Sequence, residues 1–364
     1  MKKIITSESV NIGHPDKTCD TIADAFLDEA LRQDESSQMA VECAIKNDKL
    51  FVYGEATTNA IIDYDKIAKD TLKDIGYKNE FKIIKEISKQ SADINQAVVK
   101  KKLCANDQGI VFGYATNETK EYMPLTIVIA NKLMQKYEEF RKLTDNFYAD
   151  AKSQVSVCYE NKKPLYISMI LISVSHSKEL NINQIKEIIK TEVINPVLKE
   201  YENFINEKTK FEINPSGKFT IWGSFADSGC VGRKIVVDSY GSIGRVGGGC
   251  FSSKNATKVD RSGAYYARYV AKNIVAHGLA DNCEIQATYV IGKENATSIY
   301  IDCFKTNKVP FKQIRDYVRN NFDFSIDNII KELNLLKPIY KKTACFGHFG
   351  RDEFSWEKIK NNKI

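Results

Sequence analysis

The stretch Gly13-His14-Pro15-Asp16-Lys17 places an imidazole, a carboxylate and an ammonium next to a proline that predicts the first turn of a helix. Because the free N–H groups and the dipole of a helix N-terminus attract phosphate, the motif suits a polyphosphate, with Asp16 free to hold Mg²⁺. The alternative is an ordinary helix cap in which Asp16 only complements the dipole. On this motif alone, a cap is the more common use of such residues.

A glycine-rich segment, 241–249, contains five glycines in nine residues and precedes a predicted helix start at residue 259. Backbone of this kind either cradles phosphate or forms a plain turn. It is not a Walker A loop, because Ser253 stands at the second glycine of that motif and Asn255 at its Ser/Thr position. The positive charge around the segment favours phosphate binding over a plain turn. The basic residues concerned are Arg233, Lys234, Lys254 and Lys258.

Two alternating segments around Asn47-Asp48 predict a β-hairpin with a two-residue turn. In that register Glu42 and Glu55 share one face of the hairpin as diagonal neighbours, roughly 7–8 Å apart. The other face is apolar, so the two carboxylates are expected to point away from the core. Both carboxylates could simply be solvated on an exposed face. Beside Phe51 and Tyr53 they would also suit an ammonium group, a cation or a partner subunit.

Several other residues carry weaker signals. Lys152 and Phe219 occur alone, and such residues are usually a solvated lysine and a core aromatic. His176, His277 and His348 have no mutual metal-ligand spacing, which predicts structural or surface roles. The nine cysteines include no C-x-x-C pair, so reduced, mostly buried thiols of a cytosolic protein are expected and a zinc site is not.

The composition narrows the class of protein. With 364 residues, of which 43% are hydrophobic and 27% charged, the chain is expected to be globular and to form two or three domains. Its 53 basic and 47 acidic residues leave a formal charge of +6 spread along the chain, which weakly favours an anionic ligand and disfavours nucleic acid. No window approaches the roughly 20 apolar residues that a membrane span requires.

The order helix, strand, strand, helix occurs three times along the chain. Because each helix pair must cover one face of a sheet, the predicted fold class is α+β, with three similar domains, each a mixed sheet covered by helices on one face. Boundaries near 100 and 222 give domains 1–100, 101–222 and 223–364. Paired strands disfavour a doubly wound parallel sheet. Besides the hairpin, the main predicted elements are a helix from Pro15 to about Leu31, a helix ended by Gly76, a helix from Pro124, strands 153–160 and 165–175, a helix 259–277, strands 283–291 and 297–304, and a helix after Pro310.

Eight stretches of the sequence carry a family resemblance. They are TSESV at 6–10, GHPDK at 13–17, QSADINQ at 90–96, DQGIVFGYATNET at 107–119, DAKSQV at 150–155, GRKIVVDSYG at 232–241, GGGCFSSKNATKVDRS at 247–262 and GHFGR at 347–351. On these motifs the sequence resembles the S-adenosylmethionine synthetase (methionine adenosyltransferase) family over nearly its whole length. The resemblance implies that the sulfur of methionine attacks C5′ of ATP and expels triphosphate, which the same site cleaves to phosphate and diphosphate.

The resemblance also implies roles for individual residues. The implied catalytic positions are His14, Lys152, Arg233 and Lys254, which also bind ATP together with Lys234. The implied nucleoside-end residues are Asp150, Phe219 and Asp227. The implied methionine pocket contains Glu8, Glu55, Gln90, Asp107, Asp227 and Lys258. Asp16 and Asp260 are implied to bind two Mg²⁺ ions per site, and Glu42 is implied to bind K⁺.

The resemblance implies a homodimer whose active sites combine residues of both subunits, with dimers commonly paired as a tetramer. A shared site would explain carboxylates on an outward sheet face. No nucleic-acid or membrane partner is expected, and the cytoplasm is the expected location. Two alternatives remain open. An ATP-dependent phosphotransferase is disfavoured because Walker A and kinase motifs are absent from the sequence. A non-catalytic nucleotide-binding regulatory subunit is disfavoured because every expected ligand is present.

Overall fold

The computed structural model describes residues 2–89 and 103–361. Pairs of consecutive strands are separated by helices along much of the described chain. The strands are β1 (Lys2–Val10), β2 (Gln38–Lys46), β3 (Lys49–Thr57), β4 (Lys82–Ser88), β5 (Gly109–Thr116), β6 (Phe147–Glu160), β7 (Lys163–His176), β8 (Lys210–Ile213), β9 (Gly229–Cys230), β10 (Asn282–Tyr289) and β11 (Ser298–Asp302). The α-helices are α1 (Pro15–Gln33), α2 (Tyr64–Ile75), Leu125–Arg141, Ile182–Ile189, Asn195–Leu198, Ile235–Asp238, Val259–Ala276, Phe311–Asn321 and Ile326–Glu332.

The helix boundaries follow the sequence signals. Pro15 is the first residue of α1, where its missing N–H costs no intrahelical hydrogen bond. Gly76 ends α2 with a left-handed φ of 118°, a conformation that glycine adopts without strain. The helices that begin after Pro124 and Pro310 are also present. The predicted helix boundaries are therefore confirmed to within a few residues.

The hairpin of β2 and β3 has the predicted register. Glu42 pairs with Tyr53, and Glu55 pairs with Ala40. The residues of the inner face, such as Val41, are buried, whereas the side chain of Tyr53 is 36% exposed and that of Phe51 is 47% exposed. The structure therefore confirms that both carboxylates lie on the face that points away from the core.

The three sheets combine strands that are distant in sequence. Their strand orders are β1-β6-β7-β8, β4-β3-β2-β9 and β11-β10-β5. The α+β fold class is confirmed, but β1, β5 and β9 each pair with a strand far along the chain. The sheets therefore do not follow contiguous thirds of the chain, and the domain boundaries near 100 and 222 stay a prediction.

Only two of these sheets are mixed, whereas the prediction gave each domain a mixed sheet. β3 and β4 run parallel, as do β7 and β8, because a helical crossover joins each pair. The pairings of β10 with β11 and with β5 are antiparallel. In the described part of the chain no strand follows the helices after β11, so this sheet gains no parallel partner.

Each sheet is covered by helix on one face. Helix α1 packs on β2, the helix Leu125–Arg141 packs on β1 and β6, and the helix Val259–Ala276 packs on β5 and β10. The opposite face of the β2–β3 hairpin is left outward and carries the acidic and aromatic residues described above. All nine cysteines are free and seven are buried, as the sequence predicted. No helix within the described residues is long and apolar enough to cross a membrane.

Four buried aspartates form a row along α1, at intervals of four residues, and their carboxylates accept hydrogen bonds from backbone amides of distant segments. The members of this aspartate row are Asp16, Asp20, Asp24 and Asp28. In that order, the donors are the amides of Cys230 (3.0 Å), Gly232 (2.9 Å), Ser253 (3.0 Å) and Tyr340 (2.8 Å). Because an unpaired buried carboxylate is costly, these bonds fix the segments that contain the predicted phosphate-binding residues.

Candidate active site

The first cluster of predicted site residues, here called the histidine corner, surrounds the N-terminus of α1. Asp16 Oδ2 accepts a hydrogen bond from Lys234 Nζ at 2.6 Å, and Arg233 Nε lies 3.6 Å from Oδ1. Burial disfavours the charged form of Asp16, but the bonds from Lys234 and from the Cys230 amide outweigh burial and lower the pKa of Asp16. The corner therefore holds an ionised carboxylate between two cations.

His14 lies within the histidine corner with only 4% of its surface exposed. Burial, followed by the positive charges of Lys234 and Lys152, lowers the pKa of His14 to about 3. The ring is therefore neutral near pH 7. Its Nδ1 accepts the Asp16 amide N–H at 3.2 Å, which assigns the proton to Nε2 and makes that atom a hydrogen-bond donor.

Asp150 lies on β6, and Phe219 lies beside the last residue of β7. The Asp150 carboxylate accepts the Gly223 amide N–H at 2.9 Å, and burial raises the pKa of Asp150 to about 6. The exposed Asp227 raises this pKa further, which places it within electrostatic reach of Asp150. Phe219 is half-buried and its backbone pairs with His176, whose Nε2 accepts the Phe219 amide N–H at 3.1 Å. His176 therefore has the structural role predicted for it.

A second cluster, here called the lysine cavity, lies at the start of the helix Val259–Ala276. Lys254 Nζ and Asp260 Oδ2 form an ion pair at 2.7 Å. Gly249 of the glycine-rich segment packs against the same carboxylate, and a Cβ at Gly249 would come within 2.0 Å of Asp260 Oδ2. A residue with a Cβ at this position would therefore displace the Asp260 carboxylate.

The cavity beside this ion pair has a volume of about 260 Å³ and is lined by Glu55, Asp107 and Lys258. Burial and the nearby Lys254 lower the pKa of Lys258, and the two carboxylates oppose that shift. One cavity thus presents two acids and an ammonium. This arrangement suits a zwitterion, because the acids can bind its ammonium and the lysine can bind its carboxylate.

Two other predicted residues, Glu42 and Glu8, belong to neither cluster. Glu42 is half-buried on the hairpin. Burial raises the pKa of the Cys250 thiol to about 11, and the nearby charge of Glu42 acts in the same direction. Glu8 is exposed on β1, opposite Gln154, and no hydrogen bond joins it to either cluster within the described residues. Gln90 lies outside the described residues.

The carboxylates predicted to bind metal are distributed between the two clusters. Asp16 belongs to the histidine corner and Asp260 to the lysine cavity, and carboxylate oxygens are the ligands that Mg²⁺ prefers. Within residues 2–89 and 103–361, no three acidic, histidine or cysteine side chains come together as a complete metal site. The residues fit Mg²⁺ as partial ligand sets that phosphate oxygens would complete.

As far as the chain is described, no hydrogen bond or ion pair joins the histidine corner to the lysine cavity. Their segments nevertheless pack together, because Gly232, next to Arg233, lies against Cys250, next to Gly249. The structure thus gathers the predicted residues into two groups rather than one. Sequence reasoning missed Asn106, which also lines the lysine cavity, and its position next to Asp107 was the available signal.

Comparison with known proteins identifies the family of the chain. The chain matches three family models that are described as the N-terminal domain (residues 2–102), the central domain (102–219) and the C-terminal domain (221–358) of S-adenosylmethionine synthetase. Together these models cover nearly the whole chain. The chain therefore belongs to the S-adenosylmethionine synthetase family, a family of methionine adenosyltransferase enzymes.

Curated relatives agree with that assignment. The chain is 47% identical over 371 residues to the S-adenosylmethionine synthase of Mesoplasma florum, covering 99% of this chain and 98% of the relative. It is 46% identical over 370 residues to the S-adenosylmethionine synthase of Mycoplasma capricolum subsp. capricolum, covering 98% of this chain and 95% of the relative. The similarity extends over whole chains and is not confined to one motif.

Proposed function

We propose that the chain converts ATP, L-methionine and water into S-adenosylmethionine, phosphate and diphosphate. The methionine sulfur donates an electron pair to C5′ of ATP, the C5′–O bond breaks, and triphosphate leaves with that bonding pair. Water then cleaves the triphosphate at the same site. The observation that carries this proposal is the buried, neutral His14 set among Lys152, Lys234 and Asp16.

The geometry supports this chemistry because the first step needs charge stabilisation rather than a base. A thioether has no proton to lose, whereas the departing oxygen gains negative charge. His14 Nε2 can donate to that oxygen, and preorganised donors of this kind stabilise developing charge. The cations that would bind the phosphates are Lys152, Arg233, Lys234 and Lys254.

Metal ions would complete the charge balance. Asp16 and Asp260 are proposed to hold two Mg²⁺ ions per site, which would neutralise triphosphate charge that the lysines leave unpaired. In the structure the ammonium of Lys234 donates a hydrogen bond to the Asp16 carboxylate, so a cation already neutralises the charge of this carboxylate. Glu42 is proposed to hold K⁺.

Methionine is proposed to bind in the lysine cavity. Its carboxylate would pair with Lys258, and its ammonium would lie between Glu55 and Asp107. Asp150 and Phe219 would hold the nucleoside end of ATP, together with Asp227. Glu8 and Gln90 stay proposed members of the methionine pocket. Glu8 lies on an exposed sheet face, from which it could reach the pocket of a neighbouring subunit.

One product assay decides between the proposal and its alternatives. The protein is incubated with ATP, methionine, Mg²⁺ and K⁺, and the products are identified by mass spectrometry. S-Adenosylmethionine with phosphate and diphosphate supports the proposal. ADP would indicate a phosphotransferase, and unchanged ATP would indicate a non-catalytic nucleotide-binding subunit.

We propose that the protein acts in the cytoplasm as a homodimer with shared active sites. Two such dimers are proposed to pair as a tetramer. Two observations support sharing. Among the described residues no hydrogen bond or ion pair joins the histidine corner to the lysine cavity, and Phe51 and Tyr53 are exposed beside carboxylates. Exposed aromatic residues beside acids suit an interface that encloses a charged ligand.

Mixing two variants tests shared sites, at an Mg²⁺ concentration that saturates the wild type but leaves Asp16→Asn inactive. Asp16→Asn disables the histidine corner and Lys258→Ala disables the lysine cavity, so a hybrid dimer would keep one intact site if the two residues reach it from opposite subunits. After dissociation and random reassembly, about a quarter of wild-type activity is expected, because half of the dimers are hybrids with one intact site of two.

Light scattering accompanies the mixing experiment. Each variant reassembled alone is the control and is expected to stay inactive. If the mixture stays inactive although scattering shows that dimers have formed, both residues serve a site from the same subunit. A fully active monomer would refute the shared site.

Glu42→Gln is expected to remove the stimulation of activity by K⁺ and to leave the Mg²⁺ dependence unchanged. The carboxylate can hold a monovalent ion at the hairpin without touching ATP. Titration of activity against KCl measures the effect. Glu86→Gln is the matched control, because Glu86 lies opposite Tyr53 on the same sheet face and is expected to keep full K⁺ stimulation. Equal stimulation in the Glu42 variant and the wild type would leave Glu42 a solvated surface residue.

A further inference from the structure

The ammonium of Lys258 has an unusual environment in the lysine cavity. Glu55 and Asp107 act on it through their charge, yet among residues 2–89 and 103–361 no carboxylate forms an ion pair with it. A lysine side chain has four rotatable carbons and three N–H donors. Among the described residues, therefore, no acid fixes the direction in which its donors point.

Asn106 contacts the Lys258 ammonium instead. In the amide orientation that satisfies both neighbours, its Oδ1 accepts a hydrogen bond from Lys258 Nζ at 3.1 Å, and its Nδ2 donates to the carbonyl of Thr257 at 3.0 Å. The amide thus bridges the backbone and the side chain of two consecutive residues. The hydrogen bond from Asn106 to the Thr257 carbonyl keeps the Asn106 amide oxygen beside the Lys258 ammonium.

The backbone under Asn106 is itself held in place. The Ala105 amide donates to the Lys293 carbonyl at 2.9 Å, and the Gly292 amide donates to the Ala105 carbonyl at 2.9 Å. The next residue, Asp107, carries one of the two acids of the cavity. A single short segment therefore sets the spacing between an acid and the ammonium of Lys258.

We propose that Asn106 is a positioning residue that holds the Lys258 ammonium for the carboxylate of the amino-acid substrate. A neutral amide suits this purpose, because it orients the ammonium without cancelling the positive charge that a carboxylate ligand needs. Two of the three N–H donors of Lys258 stay available to the substrate. This inference rests on the proposed function and adds selection for an α-amino acid with a free carboxylate.

The test compares methionine with methioninol, which has an alcohol in place of the carboxylate. Asn106→Ala is expected to raise KM for methionine about tenfold, the loss expected for one hydrogen bond to a charged group. KM for methioninol, KM for ATP and the rate of hydrolysis of added tripolyphosphate are expected to stay near their wild-type values. A merely structural defect would affect both amino substrates alike.

Further variants test whether the effect of Asn106 acts through the Lys258 ammonium. Asn106→Asp keeps an acceptor for Lys258 but adds a negative charge, so it is expected to raise KM for methionine and not KM for methioninol. Gln108→Ala removes an exposed amide from the same segment and is the matched control, with both KM values unchanged. In a Lys258→Ala background, which is expected to be inactive, Asn106→Ala is expected to have no further effect on the equilibrium binding of methionine, because the group on which it acts is gone.

Two results would overturn the inference. One is an unchanged KM for methionine in Asn106→Ala, and the other is an equal rise for methionine and methioninol. Failure of the proposed function has a different signature, because the wild-type protein would then form no S-adenosylmethionine from methionine at all.

Discussion

Replacing His14 by alanine is expected to lower kcat about a hundredfold, with a much smaller effect on the binding of ATP. In the proposed reaction the neutral ring donates a hydrogen bond from Nε2 to the departing oxygen of ATP. This hydrogen bond gains strength only as negative charge develops on that oxygen. Steady-state kinetics give kcat, and equilibrium binding of ATP gives the comparison. Hydrolysis of added tripolyphosphate is expected to suffer less, since no C5′–O bond breaks in that step.

His277→Ala is the matched control. His277 lies at the end of the helix Val259–Ala276, where its Nδ1 contacts the Asn273 carbonyl at 2.8 Å, away from both clusters. Its replacement is expected to leave kcat near the wild-type value. If His14→Ala also left kcat unchanged, the imidazole would have no part in the reaction.

Asp16→Asn and Asp260→Asn are each expected to raise the Mg²⁺ concentration needed for half-maximal activity roughly hundredfold, because each removes a charged ligand of a divalent ion. In Asp16→Asn the side-chain oxygen can still accept the Cys230 amide, so the local backbone keeps its support. The measurement is a titration of activity against MgCl₂ at fixed ATP.

Asp352→Asn is the control for the loss of a negative charge, because the side chain of Asp352 is 92% exposed and far from both clusters. It is expected to show wild-type Mg²⁺ dependence. The same wild-type dependence in Asp16→Asn and Asp260→Asn would show that neither carboxylate is a metal ligand.

The features that the sequence predicted well depend on neighbouring residues. Pro15, Gly76 and the turn at Asn47-Asp48 act on their own backbone, so the helix boundaries and the hairpin register follow from local rules. Glu42 and Glu55 were placed on the outward face by that register alone. The positions of charged groups within a few residues of a turn or a helix end were therefore predictable.

Long-range pairings were not predictable from local patterns. Nothing in β1 indicates that it pairs with β6, and the alternation in β5 does not name β10 as its partner. The roles of Asp20 and Asp24 were not predicted, because the amides that they bind lie in distant loops. Asn106 was missed because its function depends on the Lys258 side chain.

The aspartate row also constrains how the protein is made. Its carboxylates accept amides that lie 212 to 312 residues further along the chain. At synthesis rates of roughly 10 residues per second, α1 leaves the ribosome about 20 to 30 s before those amides exist. During that interval the row must stay hydrated, so this face of α1 cannot be buried early. The histidine corner is therefore among the last parts of the molecule to form, and a nascent chain released before residue 340 would expose these acids.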